Sequence, residues 1–119
     1  MKIALCQINP ILGNFNYNYN KILEFYKKSV QLDADVVVFP ELAITGYPPQ
    51  DLIWEEGFVA KNLEIISQIS SFSSVPLIIG YIRKDVDNYY NSAAVCYNGR
   101  LRSYVDKILL PTYDVFDET

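Results

Sequence analysis

The chain has 119 residues, half of them hydrophobic and a fifth charged, with 10 basic against 14 acidic side chains and a formal net charge of −4. This is the composition of a globular chain long enough for one domain or part of one, not of a disordered one. Its scattered Lys and Arg, of which Arg100 and Arg102 are the largest local group, argue against a face for nucleic-acid phosphates.

There is no histidine, which excludes His-based triads and His metal sites. No run approaches the ~20 apolar residues of a membrane-spanning helix. Met1 to Pro10 reads as a strand rather than a signal peptide, so the expected compartment is the cytoplasm. Cys6 and Cys96 sit in apolar runs and read as buried, reduced thiols.

Taken in chain order, Lys2 to Asn9 (KIALCQIN) is a short apolar run ended by Pro10 and Gly13, and reads as a buried strand. From Asn16 to Gln31 the apolar positions Tyr19, Ile22, Leu23, Tyr26 and Val30 fall on one face of a helix. Lys21, Glu24, Lys27 and Lys28 lie opposite, and Asn14 or Asn16 is the candidate cap. Asp35 to Phe39 (DVVVF) has the continuous β-branched and aromatic character of a strand covered on both faces.

Pro40 keeps Phe39 extended, so Glu41 leaves the strand at its carboxyl end. Thr45 to Gln50 is a Gly-Pro-Pro loop. Phe58 to Phe72 reads as a second helix through Phe58, Ile65, Ile66, Ile69 and Phe72. Leu77 to Ile82, Tyr90 to Tyr97 and Leu101 to Asp106 are three further strands. Asp85 to Asn88 is turn-like, and Asn98-Gly99 is a hairpin signal because a tight primed turn needs positive φ at both positions. The order is β-α-β-α-β-β-β, an α/β layered class in which functional groups gather at the carboxyl ends of strands.

Two charged residues stand at such ends. Glu41 follows an all-apolar strand, and the expected partial desolvation raises a carboxyl pKa and equips it as a general base. The competing reading is a surface or capping glutamate. Lys107 is placed just past the last strand. There it is either a solvated lysine or, beside Glu41, a cation that stabilises a developing oxyanion.

Both residues open long motifs. The first is Glu41 to Leu52 (ELAITGYPPQDL) and the second Lys107 to Glu118 (KILLPTYDVFDE). With Ile3 to Pro10 (IALCQINP) and Tyr90 to Ala94 (YNSAA), they resemble the carbon–nitrogen hydrolases of the nitrilase superfamily, and within it the glutaminase portion of the glutamine-dependent NAD synthetases. The resemblance covers the whole chain and about the first half of that glutaminase domain. It implies a layered α-β-β-α sandwich of which this chain forms about half.

The resemblance also implies roles. A cysteine thiolate attacks an amide carbon, Glu41 is the general base and Lys107 stabilises the tetrahedral intermediate. Glu118 is the candidate for a second catalytic-site carboxylate, one that helps position the site. Tyr113 and Phe116 line the glutamine pocket, and Tyr47 lies near that pocket or the ammonia exit.

By the same resemblance, glutamine is the substrate. The ammonia released passes to a synthetase domain that amidates an adenylated deamido-NAD using ATP and magnesium, in a homo-oligomer. Neither Cys6 nor Cys96 matches the nucleophile, which is expected beyond Thr119. No SGGxDS-type loop occurs either. Residues 1–119 are therefore expected to be one portion of a glutaminase domain, with no second domain, no cofactor of its own, and no activity by itself. Its partners are the rest of that domain and the synthetase domain, not nucleic acid or membrane. Two alternatives stand beside this reading: a fragment of another nitrilase-type amidase or carbamoylase, and a non-catalytic truncated interaction fragment.

Overall fold

The computed structural model describes residues 1–47 and 49–110, leaving aside the side chains of Gln50 and Asp51. Five strands form one sheet in the order β1 (Ile3–Leu5), β2 (Val36–Val38), β3 (Leu77–Asp85), β4 (Asn88–Tyr97) and β5 (Arg100–Leu110). β1, β2 and β3 are parallel; β4 and β5 follow as antiparallel hairpins. Helix α1 (Phe15–Gln31) joins β1 to β2, and a 3₁₀ turn (Gln50–Trp54) and helix α2 (Phe58–Phe72) join β2 to β3. The architecture is mixed α/β, in the element order expected from the sequence.

Local chemistry accounts for the boundaries. The Asn14 side chain accepts from the Tyr17 N–H at 3.1 Å and caps α1. β1 is shorter than its apolar run. It is an edge strand, and its neighbour β2 is cut off by Pro40, which has no N–H to continue a ladder. The Asn98-Gly99 hairpin has both φ angles positive, at 56° and 81°. The final strands run farther than their apolar patterns, so Lys107 lies inside β5 and not beyond it. The expectation of a strand ending at Asp106 is corrected: the alternation that marks a half-buried strand fades along an edge strand whose residues are nearly all exposed.

The two faces of the sheet differ. On one, Val37, Leu77, Ile79, Tyr81, Ala94 and Cys96 pack beneath Ile22 and Tyr26 of α1 and Ile65, Ile66 and Ile69 of α2. The register puts Ile3, Leu5, Val36, Val38, Ile78, Val95, Val105 and Ile108 on the other face. Among the described residues no helix covers that face except at Ile82, which is buried with Phe58 and Val59 at the start of α2. Leu5 is 72 % exposed and Val105 62 %.

Three buried side chains tie the connections down. Asn18 accepts from the Ile11 N–H at 2.7 Å and donates to the carbonyls of Ile11 and Ile44 at 3.0 and 2.9 Å, joining α1 to the segments after β1 and β2. Asn62 holds both backbone groups of Ile82, at 2.6 and 3.0 Å, where β3 has outrun β2. The Tyr26 hydroxyl accepts from the N–H groups of Ser74 and Val75 and donates to the Val75 carbonyl, fixing the turn into β3.

The chain leaving β2 crosses β3 at Gly80. A β-carbon there would run into the Leu42 nitrogen and lie 2.8 Å from the Glu41 Cα. Gly80→Ala is therefore expected to cost about 1–3 kcal/mol of stability by overpacking, read as a lower midpoint in urea melts. Asn18→Ala, which takes the side-chain partner from the buried Ile44 carbonyl and from the part-buried N–H and carbonyl of Ile11, is expected to cost about 1–3 kcal/mol in the same measurement.

Candidate active site

Glu41 opens a tight turn, Glu41 to Thr45, closed by a hydrogen bond from the Gly46 N–H to the Leu42 carbonyl at 2.8 Å. Leu42 has φ of 48°, in the left-handed region that costs a leucine energy. Its side chain is fully buried against Ile53, Phe58, Val59 and Ile82. That burial holds the strained turn and aims Glu41 across the uncovered sheet face. Gly46, at φ 86°, lets the end of the turn press on Leu12, whose Cα a β-carbon would meet at 2.6 Å.

Lys107 reaches the same place from β5. Asn91 pairs with Ile108 and Ser92 with Asp106, so Lys107 is the extra residue of a β-bulge, standing with Ile108 against Asn91. Its Nζ donates to Glu41 Oε2 at 2.8 Å, across 66 positions of sequence. Asn91 Nδ2 donates to Glu41 Oε1 at 2.5 Å. One carboxylate is thus held at both oxygens by donors from β4 and β5.

The electrostatics correct the expectation for Glu41. The hydrogen bond from Lys107, then that from Asn91, hold its carboxyl below the usual 4.5, outweighing the upward push of burial. The apolar strand before Glu41 suggested desolvation, but its side chain is 40 % exposed and doubly hydrogen-bonded. It is an ionised carboxylate at neutral pH, the form that can accept a proton. An ion pair this exposed contributes only about 0–1 kcal/mol to stability.

Asn91 was not singled out from the sequence. The available signal was an amide in the middle of a strand, which needs a partner when buried. Asn91 is 2 % exposed, and its Oδ1 has no hydrogen-bond partner among the described residues. Tyr47 is 65 % exposed just beyond the Glu41 turn. Tyr113, Phe116 and Glu118 lie outside the described residues. Cys6 and Cys96 are buried, and burial pushes the Cys96 thiol up to about 11, far from a reactive thiolate. Cys6 Sγ sits 3.4 Å from Ser29 Oγ.

Among the described residues no three His, Cys, Asp or Glu side chains gather as metal ligands, and no helix is long and apolar enough to cross a membrane. A separate cleft between the Ile11–Asn16 segment and the start of α2, lined by Leu12, Gly13, Phe15, Phe58 and Lys61, does not include Glu41 or Lys107.

Because the folded-state pKa of Glu41 is depressed, its contribution to stability is fully present above the unfolded value and is lost as pH falls through the folded one. Glu41→Gln is expected to flatten part of the acid limb of stability below about pH 4.5, measured by urea melts from neutral pH into the acid range. The remaining slope comes in part from Asp106, which Arg83 likewise holds low.

Comparison with known proteins places this geometry in a family. The carbon-nitrogen hydrolase family profile matches residues 2–118. The glutamine-dependent NAD(+) synthetase of Thermotoga maritima is 36% identical over 121 residues, covering 99% of this chain and 21% of that protein. The corresponding enzyme of Acinetobacter baylyi is 32% identical over 118 residues, covering 98% and 22%. The chain thus spans about a fifth of the length of these relatives. Among solved structures, the glutamine-dependent NAD+ synthetase of Acinetobacter baumannii, in complex with ADP, superposes with a TM-score of 0.83 at 34% identity, over 98% of this chain and 22% of that one. An amidase from Nesterenkonia sp. shares the fold at a TM-score of 0.79 and 17% identity, over 91% of this chain and 43% of that one. With its motifs, its sheet and its paired carboxylate and lysine, the chain belongs to the carbon-nitrogen hydrolase family.

Proposed function

We propose that this chain is part of a glutamine-dependent NAD synthetase, and that it supplies the carboxylate and the lysine of the site that hydrolyses the glutamine amide. The observation that carries the reading is the Glu41 carboxylate held by Lys107 at 2.8 Å, in a chain 36% identical to such a synthetase. The uncovered apolar sheet face beside the site supports it, since large exposed apolar surfaces are rare on isolated domains. That face is assigned to the remainder of the glutaminase domain. ATP and magnesium are assigned to a separate synthetase domain.

The nucleophile of this scheme is a cysteine thiol supplied by that remainder. Glu41 accepts the thiol proton as sulfur attacks the glutamine amide carbon. The carbonyl oxygen becomes an oxyanion, and the Lys107 ammonium neutralises it. Glu41 returns the proton to the leaving nitrogen, and ammonia departs as the C–N bond breaks. Water then attacks the thioester, Glu41 again takes a proton, and glutamate is released with the thiol restored. In this scheme Glu118 is the second carboxylate, Tyr113 and Phe116 contact glutamine, and Tyr47 stands toward the pocket or the ammonia exit.

The lowered Glu41 pKa suits this cycle in a specific way. The pair rests as carboxylate and ammonium, so the base is already deprotonated when substrate arrives. Glu41 becomes a stronger base once Lys107 turns toward the oxyanion, because it loses the donor that contributes most to the depression.

The test uses the full-length protein carrying this chain. Glu41→Gln and Lys107→Met are each expected to lower kcat for glutamine hydrolysis by about 10²-fold or more. ATP-dependent amidation of deamido-NAD from added ammonium should be retained in both. Undiminished glutamine hydrolysis in either variant contradicts the reading, and turnover of simple aliphatic amides without an ATP-dependent step would move the assignment to the amidases. The 119-residue chain alone is expected to release no ammonia from glutamine.

A further inference from the structure

The residue next to Lys107 is part of a second cluster, on the opposite, helix-covered face of the sheet. Arg83 of β3 donates to Asp106 through Nε to Oδ1 at 2.8 Å and through Nη2 to Oδ2 at 2.6 Å, a two-pronged carboxylate grip. Ser92 of β4, fully buried, donates from Oγ to the same Oδ1. The Arg83 guanidinium lies 4.6 Å from the Tyr90 ring centroid and 4.4 Å from that of Tyr104, one ring from β4 and one from β5. The side chains of Arg83 and Asp106 are only 17% and 29% exposed. Among the described residues no side-chain hydrogen bond or ion pair joins this cluster to Glu41 or to the Lys107 ammonium, and the scheme above gives it no role.

Its place in the register does give it one. The bulge in β5 lies between Asp106, paired with Ser92, and Ile108, paired with Asn91. Lys107 is the inserted residue. A bulge that nothing pins can move along its strand, and a shift of one residue sends a side chain to the other face of the sheet. Such a shift would take Lys107 away from Glu41. The pin must act beside the bulge and hold β5 to both β4 and β3. Asp106 does this, being bonded to Ser92 on one strand and Arg83 on the other.

We propose that Asp106, gripped by Arg83 and Ser92 on the helix-covered face, is a positioning residue that fixes the β5 bulge and so delivers Lys107 to Glu41 on the opposite face. The inference rests on the reading of Glu41 and Lys107 as the working pair, and it assigns Arg83 and Asp106 to the construction of that pair. The rings of Tyr90 and Tyr104 lie against the guanidinium and limit its movement. Lysine at position 83 would keep the charge but lose both the fork and the stacking.

The test reads Glu41 in the full-length protein carrying this chain by carbon-detected NMR titration of its selectively labelled side-chain carboxyl, in wild type, Asp106→Asn, Arg83→Lys, Ser92→Ala and Lys107→Met. Lys107→Met sets the upward shift that follows complete loss of the lysine. Asp106→Asn is expected to give at least half of that shift, and Arg83→Lys and Ser92→Ala smaller shifts in the same direction. The sign is decisive. Removing the Asp106 charge acts directly on a nearby carboxyl by lowering its pKa, so a rise requires that Lys107 has left Glu41.

An unchanged or lowered Glu41 titration in Asp106→Asn, with the Lys107→Met shift present, overturns the proposal. If Asp106→Asn fails to fold, the same criterion applies to Arg83→Lys and Ser92→Ala, which keep every charge. The titration needs no substrate, so it separates the two readings. A positive result in a protein that does not hydrolyse glutamine would support the positioning role and reject the proposed function.

Discussion

The site depends on one close approach of backbone to backbone. The turn that begins at Glu41 lies on β3 at Gly80 with no side chain between them, and a β-carbon at Gly80 would meet both Glu41 and Leu42. That contact brings the carboxylate down to the level of the sheet, within reach of β4 and β5. The buried Leu42 side chain holds the turn from below at an unfavourable φ. Asn18 ties the far end of the turn to α1 through the Ile44 carbonyl. The turn is therefore clamped by packing, by a backbone fit and by a buried amide.

The two charge clusters divide the work between the two faces of the sheet. Glu41, Asn91 and Lys107 stand on the uncovered face, and Arg83, Asp106 and Ser92 on the covered one. Asp106 and Lys107 are adjacent in sequence but point in opposite directions, so the backbone between them couples the clusters. The pair on the uncovered face is not explained by stability alone. An ion pair as exposed as Glu41 and Lys107 contributes little to folding, while a carboxylate held at both oxygens is oriented for chemistry. The same arrangement sets its protonation state, and here the pairing outweighs desolvation.

Much of the fold was legible in the chain. The limits of α2, Phe58–Phe72, follow directly from its apolar spacing, and the Asn98-Gly99 turn from its need for positive φ. The parallel character of β2 shows in its unbroken run of valines. The site was legible only in part. Glu41 and Lys107 could be named from their motifs, but their contact spans 66 positions and depends on a bulge, which leaves no local signal. Asn91, 50 positions from Glu41, was hidden for the same reason. The direction of the Glu41 pKa was misjudged because the strand before it is local and visible, whereas the donors that control it arrive from strands formed much later in the chain.

The bonds from Lys107 and Asn91 require a carboxylate that rests paired rather than one kept protonated by burial. Titration of the Glu41 side-chain carboxyl in the wild-type chain tests this most directly. A midpoint below the ordinary 4.5 is the result the paired geometry requires. A midpoint at or above 4.5 would mean that burial governs Glu41, that Lys107 is not at its side, and that the account of the site is wrong.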